Sequence, residues 1–140
     1  MDVVAHFRGA RSSISMPTGA VLFAEGEVGT TMYVLVEGSA EISVGGDTVE
    51  TAGPGALLGE MALVSAAPRS ATVVMRTPCR LVPVEVKQFD LLVRESPEFA
   101  RHVMAVMAGR LRRTNERLKE ALGELNVRGR NPGRIRPEDR

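Results

Sequence analysis

A change of hydrophobic period near residue 86 limits what this chain can fold into more than any other feature. Residues 16–86 are short β-branched runs interrupted by glycine, whereas from Lys87 onward apolar residues return at spacings of three and four. Alternate positions share one face of a strand, and positions three or four apart share one face of a helix. The two stretches therefore form different kinds of element. Residues 21–24, 32–36, 41–44, 47–50, 71–75 and 80–86 read as strands. Gly45-Gly46 separates two alternating runs, and consecutive residues that tolerate positive φ suit a two-residue hairpin turn. Many short strands with this turn chemistry predict a barrel or double-sheet roll rather than a parallel sheet.

The helical half has a marked start. Ser96 can cap free amides, Pro97 suits the first turn, and Glu98 complements the positive end of the dipole. Met104, Met107, Leu111, Thr114, Leu118, Ala121 and Leu125 then occupy the a and d positions of a heptad. Arg112, Glu116, Lys119 and Glu120 lie on the opposing face. A helix spanning 97–125 outreaches the cover that the strands need, so a second copy of the chain is the expected recipient of its seam. The predicted fold is mainly β with α: a double-stranded β-helix, or jelly-roll-like β-roll, followed by a long C-terminal helix. Residues 1–15 form a helical lead-in with Val3, Val4 and Phe7. Residues 16–125 form the main domain, including dimerisation helix 97–125, and 126–140 form a basic flexible tail.

Composition excludes several kinds of function. With 140 residues, 44% apolar and 25% charged, the chain has the make-up of one soluble globular domain. A net charge of +1 creates no general field for nucleic acid. The local excess lies in 128–140, where five Arg accompany Glu138 and Asp139, and such tails usually stay solvated. No apolar run approaches the ~20 residues of a membrane span. Met1-Asp2-Val3-Val4 lacks a basic-then-apolar leader, so a cytoplasmic location without membrane contact is expected. Cys79, the single cysteine, can form no internal disulfide; beside Pro78 it reads as a thiol at a hairpin tip. His6 and His102 lack partners at ligand spacing, so neither a metal nor a catalytic cluster is expected. A binding module is the expected class, not an enzyme.

The chemistry concentrates between Gly53 and Val73. Gly53-Pro54-Gly55 opens a loop that runs into a short helical turn starting near Gly59. The first N–H groups of such a turn have no partner within it, which favours an anion in front of them. Gly59 permits close approach of a ligand to the backbone. Arg69, on the loop before the next strand, can hold a phosphate by two-point contact. Glu60 is an acceptor, ill suited to phosphate and well suited to sugar hydroxyls. Together these are parts for one sugar phosphate with a single negative charge.

Residues 58–73 carry Gly59-Glu60-Met61-Ala62-Leu63 and then Pro68-Arg69-Ser70-Ala71-Thr72-Val73. This stretch resembles the phosphate-binding cassette of the cyclic nucleotide-binding domains, the family of the catabolite activator protein and the kinase regulatory subunits. Gly26, Gly29, Tyr33 and Gly38 are similar to that family's glycine-punctuated roll. Thr30 stands where members usually carry an acidic or amide residue, at a turn outside the binding site. The resemblance implies that Gly59 and the amides of Met61 and Ala62 face the ribose phosphate. It implies that Glu60 accepts from the ribose 2′-hydroxyl and that Arg69 pairs with the cyclic phosphate, assisted by Ser70.

The long helix resembles the dimerisation helix of the catabolite activator type, which implies that Thr114 and Asn115 touch adenine, one from each subunit. Ser70, Thr114 and Asn115 favour cAMP, with cGMP as the alternative ligand, and no cofactor is implied. The implied function is a cAMP-binding regulatory module, a homodimer that changes helix position or dimer surface for an unidentified protein effector. Specific DNA binding is not expected, because the 15 residues after Leu125 are too few for a helix-turn-helix. The alternative is the effector portion of a DNA-binding transcription regulator whose helix-turn-helix is absent from this chain.

Overall fold

The computed structural model describes residues 1–129. In chain order the elements are α1 (Val3–Phe7), β1 (Ile14–Met16), β2 (Val21–Phe23), β3 (Met32–Glu37), β4 (Ala40–Val44) and β5 (Asp47–Ala52). There follow β6 (Leu57–Leu58), α2 (Glu60–Ser65), β7 (Thr72–Met75), β8 (Cys79–Val84), α3 (Val86–Glu95) and α4 (Pro97–Gly129). The strands form two four-stranded sheets, ordered β1-β8-β3-β6 and β2-β7-β4-β5. Every pairing is antiparallel. Neighbours far apart in sequence, β1 with β8 and β2 with β7, wrap the chain into a double-sheet roll, one of the two forms that the strand pattern leaves open beside a barrel. Gly45 and Gly46 hold φ of 58° and 87°, and Val44 faces Asp47 across the expected tight turn.

The chain divides into two compact units, Met1–Val103 and a second that begins at Met104. Within the first, Phe23, Leu35, Ile42, Leu58, Val73, Met75 and Leu81 form one apolar cluster drawn from both sheets. Alternation on each strand turns those side chains inward, and their burial is the main force holding the roll. A separate aromatic group joins Phe7 of α1 and Phe89 of α3 to Phe99, with ring centroids 6.3 Å and 6.0 Å from that of Phe99. Phe99 itself is completely buried.

Helix α4 begins where the capping signal places it. The Phe99 amide donates to Ser96 Oγ at 3.2 Å, and Pro97 opens the first turn. The helix continues past Leu125 to Gly129, because no proline interrupts 126–129 and each added residue extends an existing helix at little cost. The remainder of the basic tail, 130–140, lies outside the described residues. Three further differences concern the roll. Strands β1 and β6 lie outside the expected runs; Leu57 and Leu58 pair with Val34 and Tyr33 instead of lying in a loop. Val86 starts α3 rather than ending a strand, because Glu85 and Gln88 form a capping box in front of it. Cys79 is buried at the start of β8, where the carbonyl oxygens of Ser39 and Thr77 lie 3.3 Å and 3.2 Å from its sulfur and share its single proton, so it is no exposed hairpin tip. Among the described residues no helix is long and apolar enough to cross a membrane.

Candidate functional site

Two side chains of charged type are buried among the described residues, and both belong to the cassette: Glu60 at 2% exposure and Arg69 at 7%. Removing an ion from water costs several kcal/mol even after relaxation, so charges are not buried without compensating contacts. Glu60 lies in the first turn of α2, where a carboxylate complements the positive end of the helix dipole. Gly59 precedes it as the N-cap, in the left-handed region at φ 82°. A β-carbon at Gly59 would run into the Arg69 guanidinium and would also stand 3.2 Å from Phe23 Cε2 and 3.3 Å from the Thr31 carbonyl oxygen. Both the backbone conformation and the space therefore require glycine here.

Arg69 is held at its backbone and its head group. Its amide donates to the Glu27 carbonyl at 2.8 Å, and its own carbonyl accepts from the Gly26 amide at 2.8 Å. This pair of bonds fastens the segment after α2 to the turn after β2. The guanidinium carbon lies 4.2 Å from the centroid of the Phe23 ring. Nη1 makes a long contact of 3.5 Å with the Gly59 carbonyl. Arg69 therefore stands beside the start of α2, where the sequence pattern places an anion.

The structure brings together six of the eight predicted site residues: Gly59 caps α2, Glu60, Met61 and Ala62 lie on it, and Arg69 and Ser70 lie on the segment that follows it. Ser70 is exposed, and its hydroxyl contacts Met61 Sδ at 3.8 Å. The Ala62 amide differs from expectation, because it already donates weakly to the Gly59 carbonyl at 3.3 Å. A turn this short closes on itself with an i→i−3 bond, which takes up an amide that the pattern left open. Thr114 and Asn115 lie on α4, in the second unit, and both are exposed. The Thr114 hydroxyl donates to the Arg110 carbonyl at 2.9 Å, so its own helix satisfies it. Among the described residues no group of three or more His, Cys, Asp and Glu could hold a metal ion.

Phe23 and Gly29 were missed as parts of this site. Phe23 falls in a predicted strand and Gly29 among the glycines that punctuate the roll, and nothing in their spacing connects either to Arg69. The available signal was weaker: an aromatic at the inward end of β2, followed by a glycine whose conformation does not demand glycine.

Comparison with known proteins bears on the same region. The family model described as the cyclic nucleotide-binding domain matches residues 13–96. The chain is 44% identical over 86 residues to a cyclic nucleotide-gated potassium channel of Mesorhizobium japonicum, covering 61% of this chain and 24% of the channel. It is 29% identical over 114 residues to the CRP-like cAMP-activated global transcriptional regulator of Mycobacterium tuberculosis, covering 78% of this chain and 51% of the regulator. The crystal structure of the Thermus thermophilus catabolite activator protein aligns with a TM-score of 0.69 at 29% identity, covering 78% of this chain and 54% of that one. The chain thus spans only part of each relative, from a quarter of the channel to half of the regulator.

Proposed function

The chain belongs to the cyclic nucleotide-binding domain family, and from that premise we propose that it is a regulatory module whose ligand is cAMP rather than cGMP. The observation that carries this reading is a buried cation, Arg69, held against the Gly59 backbone at the start of α2. One guanidinium offers two parallel donors to the oxygens of a phosphate diester, and the partly dry surroundings strengthen that contact. Gly59 and the Met61 amide line the same place, Ser70 assists Arg69, and Glu60 accepts from the ribose 2′-hydroxyl. The Ala62 amide joins them if it gives up its weak bond to Gly59. Thr114 and Asn115 are the proposed adenine contacts. The ligand is sensed and not chemically changed, in the cytoplasm.

The heptad on α4 pairs two copies of the chain in parallel, and nucleotide shifts the population of helix positions that a protein effector reads. Such a shift requires the nucleotide to bind one helix position more tightly than the other. Calorimetric titration of the purified protein with cAMP and cGMP tests the reading. Tight binding of cAMP with weaker binding of cGMP is the expected result, and heat from neither would overturn it. A second reading, the effector portion of a DNA-binding regulator, is favoured by the match to half of the Mycobacterium tuberculosis protein.

A further inference from the structure

We propose that Phe23 and Gly29 form a slot that positions the Arg69 guanidinium before any ligand arrives, so that Phe23 is a positioning residue for phosphate recognition. The proposal rests on Arg69 being the phosphate ligand. On one side lies the Phe23 ring, 4.2 Å from the guanidinium carbon. On another lies Gly29, where an added β-carbon would stand 2.7 Å from both Cζ and Nε of Arg69. The Gly59 carbonyl takes Nη1 at the long distance of 3.5 Å, and the Gly26 and Glu27 backbone holds the root of the side chain.

An arginine side chain on a free loop samples many rotamers and loses that freedom when it grips an anion. A slot around Arg69 would remove that freedom in advance. Stacking on an aromatic face also leaves the N–H groups at the edge of the guanidinium plane available for in-plane bonds, so cation–π contact and phosphate binding do not compete. Gly29 does not hold a positive φ, so its lack of a side chain is a matter of space and not of backbone conformation. The turn after β2 and the segment before β7 are distant in sequence, and their meeting at Arg69 is what makes the slot.

Two variants attack the two walls separately. Phe23→Leu removes the ring, and Gly29→Ala pushes the guanidinium away without touching the apolar core, which keeps the test usable if Phe23→Leu is unstable. Each is expected to weaken cAMP binding by about tenfold, between the scales of an exposed and a desolvated cation–π contact. Neither should weaken binding further in an Arg69→Ala background, because each acts through Arg69. Equal losses with and without Arg69 would overturn the slot. In the nucleotide-free protein, NMR should show the Arg69 Hε resonance displaced by the Phe23 ring current, with the displacement lost in Phe23→Leu. An undisplaced resonance in the wild type would also overturn it. Wild-type affinity in Arg69→Ala would instead remove the phosphate reading, leaving the resonance to decide whether the slot exists.

Discussion

Leu35 and Leu81 in the roll have no solvent exposure, whereas Leu111, Leu118 and Leu125 on α4 are 61%, 56% and 63% exposed. Both sets follow a regular hydrophobic pattern. In the roll the pattern is satisfied inside the chain, since the two sheets present their inward faces to one cluster. On α4 beyond Met104 the described chain leaves the seam open, although the same leucines would be worth about 1.5–3 kcal/mol each if buried. The contrast teaches that hydrophobic spacing states which face needs cover and is silent on where the cover comes from. In one region it reports a core, and in the other it reports a requirement that a second copy of the chain can meet.

The largest effect should come from breaking the open seam. If the seam pairs two copies of the chain, Leu111→Asp removes two leucines from each interface, a loss of about 3–6 kcal/mol before the cost of the charge, so the dissociation constant should rise by roughly a thousandfold. Sedimentation should then show a folded monomer. A wild-type protein that sediments as a monomer at micromolar concentration, with and without cAMP, would remove the dimer and leave the contrast without its explanation.

The opposite substitution belongs in the roll. Leu35→Ala should cost about 2–5 kcal/mol of folding stability, because the surrounding side chains relax only partly into the space. Chemical denaturation should register that loss at any protein concentration, whereas Leu111→Ala should alter stability in a way that depends on concentration. If the two variants behaved alike, the division between a self-satisfied region and a partner-dependent one would fall.

Within the roll, Arg69→Ala tests the buried cation. A charge-assisted bond is worth about 1.5–3 kcal/mol, so cAMP should bind about a hundredfold more weakly to a protein that still folds. The smallest effect is expected at Glu60. Glu60→Gln keeps an acceptor and should weaken binding by only a few-fold. In a cycle of Glu60→Ala against the 2′-deoxy analogue of cAMP, the two losses should fail to add; additive losses would show that Glu60 and the 2′-hydroxyl do not meet.

The short-range features of this protein are legible in its residues. The Gly45-Gly46 hairpin, the Ser96-Pro97 helix start and the residue types that single out Glu60 and Arg69 each depend on a few neighbouring positions. Local sterics and hydrogen bonding decide such features, and these operate over one turn of chain. Tertiary structure alone decided the rest. Strand β6 exists because Leu57 and Leu58 find Val34 and Tyr33, Cys79 is buried because β8 enters the roll there, and Phe23 lies over Arg69 because the turn after β2 meets the segment before β7. Each joins residues that no period or spacing links, since close packing brings together side chains by shape after the sheets have closed.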